Sequence, residues 1–271
     1  ENGTWHLNED EVALLKAVAT DSANDAGTVI VEWHPSLADE NWTISSIGVA
    51  SSEPVSWNPS GMHTVQVRAI DDDGASSELQ QATVMIHNVA PSVTGLPGNT
   101  PVFEDDPLDL TVVPNDTPSD IDTLEVCWDL NANVDGDNDG VADNDCEQTG
   151  ESIVASWSTE GMRLITVTVT DDDGASAQQS MSVSVLNLPP AAVIAELTPL
   201  DGLMEGDNLT LTGLNSTDTE GDKLPLAYRW DASFLDSDLD DHVGDTWTVE
   251  NLPAGTHTFV LTITDDNGLT D

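Results

Sequence analysis

One stretch of this chain is written three times, and that repetition limits the fold more than any other feature. Gly61-Met-His-Thr-Val-Gln-Val-Arg-Ala-Ile-Asp-Asp-Asp-Gly74 returns as Gly161 to Gly174 and again as Gly255 to Gly268, with the glycines and the first Asp at constant spacing. Fixed self-similarity of this kind means one structural unit repeated along the chain. Within each copy apolar residues alternate with polar ones: Val65, Val67 and Ala69; Ile165, Val167 and Val169; Phe259, Leu261 and Ile263. A period of two, rich in β-branched residues, predicts a strand with one buried face. The acidic triplet and its Gly then predict a tight turn.

Other landmarks keep step. A Trp precedes the opening Gly (Trp57, Trp157, Trp247), and another ends an earlier apolar strand (Trp33, Trp128, Trp230). An acidic cluster opens each unit at Glu9-Asp10-Glu11, Glu104-Asp105-Asp106 and Glu205-Gly206-Asp207. Matched tryptophans are read as core. Trp5 and Trp42 have no counterparts and are read as exposed contacts. His63, Arg163 and His257 share one strand slot and are read as surface packing.

These motifs resemble the polycystic-kidney-disease (PKD) type repeats, an immunoglobulin-like family. The late-strand pattern of Gly, alternating apolar residues, Asp and Gly matches, as does Trp-Asp at Trp128-Asp129 and Trp230-Asp231, where the first copy has Trp33-His34. The resemblance implies an all-β chain of three tandem immunoglobulin-like β-sandwich domains arranged as an elongated rod. The repeat boundaries place them at residues 1–90, 91–189 and 190–271, each near the roughly 100 residues of such a domain. Asn88-Val-Ala-Pro91 and Asn187-Leu-Pro-Pro190 read as linkers stiffened by proline. The first strand of the first sandwich and the last strand of the third are expected to be missing. Two readings follow: a window on a longer array, or a subunit completed by a neighbour's strand.

Charge narrows the function. The chain carries 51 acidic and 5 basic side chains, a formal net charge of −46. Nucleic acid needs a basic surface, so it is excluded as a partner. No apolar run reaches membrane-spanning length, so membrane insertion is excluded as well. Such repulsion favours bound cations or high ambient salt, which is also the signature of a halophilic or marine surface. Cys127 and Cys146 bracket an acidic loop and are expected to pair, implying an oxidising compartment. Five sequons, at Asn2, Asn41, Asn115, Asn208 and Asn215, fit a secreted glycoprotein.

The sharpest chemical signal is the bracketed insertion at 129–146. Asp135-x-Asp137-x-Asp139-Gly140-x-x-Asp143 has the ligand spacing of an EF-hand-like calcium loop, with the Val141 carbonyl available at the seventh position. Cys146 stands where the bidentate Glu belongs, and Asp145 and Glu147 flank it as substitutes. An overlapping register, Asp129, Asn131, Asn133 and Asp135, suits a second ion. The insertion resembles the disulfide-linked acidic repeats of thrombospondin type 3.

A weaker signal recurs in every unit: the early acidic cluster, an Asx-rich turn after the second strand, and the acidic triplet. Grouped within units, the candidate ligands are Glu9, Asp21, Asp71 and Asp73; Glu104, Asp116, Asp171 and Asp173; and Glu205, Asp218, Asp222, Asp265 and Asn267. Like charges gathered at one end of a sandwich are costly without a counter-ion, and the resemblance to cadherin-like and PKD-type repeats implies Ca²⁺ near domain junctions. Ordinary turn chemistry accounts for the same residues. The histidines lack metal-ligand spacing, and no nucleophile, phosphate-loop or zinc signature occurs, so an enzyme is not expected. The expectation is a calcium-stabilised structural or adhesive repeat protein at the cell surface or outside the cell, in a filament, stalk or surface layer. It would partner neighbouring copies in cis or trans, or a surface or polysaccharide ligand. The alternative is a set of accessory modules of a large secreted hydrolase.

Overall fold

The computed structural model describes residues 4–23, 28–34, 42–47, 50–58, 60–198, 202–219, 221, 226–235 and 241–271. All regular structure among them is strand, and no helix is long and apolar enough to cross a membrane.

The first unit contains β1 (Trp5–Asn8), β2 (Ala13–Val18), β3 (Ile30–His34), β4 (Thr43–Ile47), β5 (Ala50–Val55), β6 (Gly61–Ile70) and β7 (Gln80–His87). They form one sheet in the order β1-β7-β6-β3-β4 and a second of β2 and β5. The second unit contains β8 (Ser92–Thr94), β9 (Thr100–Phe103), β10 (Leu108–Thr111), β11 (Val113–Asn115), β12 (Glu125–Asp129), β13 (Gln148–Thr149), β14 (Ser152–Ala155), β15 (Gly161–Thr170) and β16 (Ser176–Leu186). Its large sheet runs β13-β12-β15-β16-β9, and β10-β14 and β8-β11 complete it. The third contains β17 (Ala195–Glu196), β18 (Leu209–Thr212), β19 (Ala227–Ala232), β20 (His242–Val243), β21 (Thr246–Val249) and β22 (Phe259–Thr264), in sheets β17-β18-β21 and β20-β19-β22.

The repeated stretch supplies β6, β15 and β22. Its alternation does what the sequence predicts: Ile165, Val167 and Val169 are fully buried, as is Ile263. Three separate apolar clusters result, one around Trp33 and Trp57, one around Trp128, one around Trp230 and Trp247. Burying one such large apolar side chain stabilises by roughly 1.5–3 kcal/mol. The Trp128 and Trp230 indole N–H groups donate to Gly150 and Gly244 carbonyls at 2.7 and 2.8 Å, so the deepest ring of the second and of the third unit is also satisfied. Trp5 is half exposed on edge strand β1. Trp42 is half-buried, with the Arg68 guanidinium 4.2 Å from its ring centre. The shared strand slot braces the turn before it: Arg163 donates to the Thr159 carbonyl at 3.0 Å, and the His257 ring lies 2.7 Å from the Pro253 carbonyl.

Among the described residues the two end units carry fewer strands than the middle one. β1 pairs in parallel with β7, as β9 pairs with β16, so the first unit does have an opening strand; what it lacks among the described residues is a counterpart of β8. Beyond β22 the third unit has only the bridge Thr264↔Thr270, and the described residues include no counterpart of β7 or β16.

The acidic cluster that opens each unit is a backbone device. Asp10 and Asp105 have φ of 56° and 59°, and Gly206 fills the same slot at 91°. The backbone N–H of each donates across the unit, to the carbonyls of Trp57, Trp157 and Leu252. Asp tolerates this left-handed conformation and Gly prefers it, which explains the interchange of Asp and Gly there. In the first two units the neighbouring Glu9 and Glu104 donate their backbone N–H groups to the His87 and Leu186 carbonyls, which fixes them beside the outgoing linker.

Candidate metal centres

The Cys-bracketed loop closes through the Cys127–Cys146 disulfide, with the Cα atoms 5.4 Å apart. Inside it, Asp135, Asp137 and Asp139 present carboxylate oxygens that all lie within 4.8 Å of one another. Among the described residues no other group of acids converges so closely. The chain path is set by the carboxylates themselves. Asp135 accepts the N–H groups of Asp139 and Gly140 at 3.2 and 3.0 Å, Asp137 accepts from Asp139 at 2.9 Å, and Asp139 from Val141 at 2.8 Å. Asn138 and Gly140 take φ of 62° and 97°, the left-handed turns that such a loop requires. Asp145, buried at 5% exposure, accepts the N–H groups of Gly136 and Asp137 and ties the loop's end to its start. Asp143, Asn133 and Val141 are exposed and Asn131 is half-buried.

The junctions between units hold a different arrangement. Glu9 is 3% exposed and its Oε1 accepts the Val89 N–H of the linker at 2.6 Å. Asn88, also in the linker, donates its amide to Asp171 Oδ2 at 3.0 Å, while Asp171 Oδ1 accepts the Ala175 N–H at 2.8 Å. Asp116 accepts the Thr117 N–H at 2.8 Å. Asp10 accepts the Ser119 N–H at 2.9 Å and so ties the first unit to the Asx turn of the second. The next junction repeats this set. Asn187 donates to Asp265 Oδ2 at 3.0 Å, Asp265 Oδ1 accepts the Leu269 N–H at 2.8 Å, and Asp218 accepts the Thr219 N–H at 2.9 Å. Glu104, wholly buried, accepts the Thr219 hydroxyl at 2.8 Å. Gly221 lies against the Ser158 carbonyl of the second unit so closely that a Cβ would overlap it.

After those bonds, seven buried oxygens at the two junctions have no hydrogen-bond partner: Glu9 Oε2, Asn88 Oδ1, Asp116 Oδ2 and Asp120 Oδ2 at the first, and Glu104 Oε1, Asn187 Oδ1 and Asp218 Oδ2 at the second. A buried acceptor left unpaired costs about 1–3 kcal/mol, and more if charged. The carboxyls respond accordingly. Burial, with Asp120 and Asp173 adding to it, raises Glu9 to about 7 despite the opposing Val89 N–H. Burial likewise raises Asp116, near Asp120 and Asp171, and Asp218, near Asp265 and Asp266. The one ion pair among the described residues, Arg68–Glu32 at 2.7 Å, lies elsewhere. All-oxygen donor sets of this kind suit a hard cation such as Ca²⁺, which takes six to eight oxygens.

Grouping candidate ligands by unit is therefore corrected. Glu9 does not meet Asp21, Asp71 or Asp73, nor does Glu104 meet Asp116 or Asp171. Each Glu faces the Asx turn and triplet of the following unit, because its strand turn lies at the outgoing end. Asp71 and Asp21 make the same local turns as their counterparts, accepting the N–H groups of Ala75 and Ser22 at 2.7 and 2.6 Å. Asp73, Asp173, Glu205 and Asn267 are exposed, and Asp222 lies outside the described residues. Asn88, Asn187 and Asp120 were not among the expected ligands. The signal for them is in the sequence: Asn recurs at the head of both linkers, and Asp116–Asp120 repeats the spacing of Asp21–Asp25 and Asp218–Asp222. Of the sequons, Asn115, Asn208 and Asn215 are exposed; Asn2 and Asn41 lie outside the described residues.

No protein-family model matches this chain, and no curated protein matches it. Among solved structures it is similar to the fibronectin(III)-like modules of CbhA from Clostridium thermocellum, at 15% identity over 67% of this chain and 89% of that one, TM-score 0.30. It is also similar to an I-band fragment of titin, at 12% identity over 98% of this chain and 92% of that one, TM-score 0.30. The N-terminal eight Ig domains of Down Syndrome Cell Adhesion Molecule match at 14% identity over 97% of this chain and 34% of that one, TM-score 0.31. The fold itself rests on strand order and packing: tandem, all-β, immunoglobulin-like sandwiches.

Proposed function

We propose that this chain is an extracellular structural or adhesive array whose sandwiches are locked end to end by Ca²⁺. The observation that carries the reading is the repeated junction set, in which a Glu of one unit, the linker Asn and an Asx-turn Asp of the next unit each leave a buried oxygen unpaired. A cation there would replace repulsion between the units with shared coordination, and the junction would stiffen. The Asp135–Asp137–Asp139 cluster adds a separate loop ion. The disulfide and the net charge of −46 fit an oxidising, cation-rich exterior. Partners in this reading are further units of the same kind or a surface ligand.

The test is thermal unfolding and small-angle scattering of the chain in calcium and after chelation. Chelation is expected to lower the melting temperature and broaden the distribution of inter-unit distances. Identical melting and scattering in both conditions would remove calcium from the account.

A further inference from the structure

We infer a second cation position at the root of the Cys-bracketed loop, built on Asp129 and distinct from Asp135, Asp137 and Asp139. It rests on the reading of that loop as a calcium loop and assigns it an additional ion with a different ligand set.

Asp129 ends β12 and is 2% exposed, directly after the fully buried Trp128. Its Oδ1 accepts the Asn131 N–H at 2.9 Å. Its Oδ2 is buried and has no partner. The groups facing it are acidic. Glu147 folds across the loop entrance, its Oε2 accepting the Leu130 N–H at 2.9 Å, and Glu147, Asp145 and Asp143 are the charges that act on Asp129. Each Asp145 oxygen and one Glu147 oxygen accept a backbone N–H, whereas Asp129 Oδ2 accepts none, so Asp129 anchors the site with Glu147 and Asp143 beside it.

The sandwich does not require an orphaned carboxylate at this slot. The first unit has His34 there, after Trp33. In the third unit Asp231 is only half-buried, and the next residue's N–H is taken by Asp241 at 2.7 Å. Only the unit with the insertion buries an acid there and surrounds it with acids. Such a group is stable when a cation supplies the missing charge. The donors are all oxygens, since Cys127 and Cys146 are joined as a disulfide, which selects a hard divalent ion over zinc.

The test is calcium-binding stoichiometry of the disulfide-intact chain by titration calorimetry. Asp129→Asn is expected to remove one ion, Asp137→Asn a different one, and the double variant two. Glu147→Gln, which leaves Asp129 in place, is expected to weaken the Asp129 ion at least tenfold without changing the other. If Asp129→Asn leaves the count unchanged, or if Asp129→Asn, Asp137→Asn and the double variant each lose the same single ion, the inference is overturned. Loss of ions in Glu9→Gln with no change in any loop variant would also overturn it, while leaving the junction reading intact.

Discussion

The Asp135, Asp137 and Asp139 turn of the bracketed loop and the junctions between units are both rich in acids, yet they solve the charge problem in opposite ways. In the loop, Asp135, Asp137 and Asp139 come from one short stretch, and each carboxylate is engaged by nearby backbone N–H groups. Asp137 and Asp139 stay exposed, so water screens them. At a junction the acids come from separate segments and are pressed together by the packing of two sandwiches. Glu9 and Glu104 are buried, and an oxygen of each goes unpaired. The loop can hold its shape before an ion arrives. The junction can reach its closed geometry cheaply only if something positive completes it.

Three experiments sharpen that contrast. The largest effect is expected from Glu9→Gln combined with Glu104→Gln, which removes one buried ligand from each junction. A ligand present at 100 times its dissociation constant stabilises by about 2.7 kcal/mol per site. The calcium-dependent rise in melting temperature should therefore nearly vanish, as read by calorimetry with and without chelator. Should the double variant respond to calcium like the parent, the junctions are not the ion-linked elements.

An intermediate effect is expected from pH in chelated protein. Glu9 is raised from 4.5 to about 7 and Asp129 from 3.8 to about 6. Between the unfolded and folded values the native state holds the extra proton. This contribution to stability is fully present below the unfolded pKa and is lost as pH rises through the folded one. The full loss for Glu9 is on the order of 3 kcal/mol, given about 1.36 kcal/mol per pKa unit. Urea midpoints at pH 5 and pH 7.5 should show it, and saturating calcium, which favours the ionised form, should flatten or reverse the trend. Rising stability with pH in chelator would contradict the assignment.

The smallest effect is expected from Asp137→Asn. It should abolish the loop ion in a binding titration while shifting unfolding by less than about 1 kcal/mol. An exposed loop closed by a disulfide already has a restricted unfolded state. A loss comparable to the junction variants would mean that the two regions are energetically alike.

How much was legible depended on the distance over which each feature is built. The alternation of Ile165, Val167 and Val169, the buried tryptophans, the Cys127–Cys146 pairing and the clustering of Asp135, Asp137 and Asp139 could all be read from neighbours in the chain. The roles of Glu9 and Glu104 could not, because their bonds reach across 80 and 115 residues. Asn88 and Asn187 read as spacers: their recurrence at the head of both linkers marks the position, but nothing nearby in the chain says what an Asn there would bind. Asp120 was hidden among turn acids for the same reason.

By itself, then, the sequence determined three immunoglobulin-like units, their core faces and one local acidic loop. Such features follow from side-chain alternation and turn chemistry within a few residues. Tertiary structure alone decided that Glu9 and Glu104 each serve the unit after their own. A left-handed turn at Asp10 and Asp105 sends that Glu to the outgoing end of its sandwich. The linker then folds an Asn and the next unit's acids over it, burying oxygens that no stretch of sequence brings together.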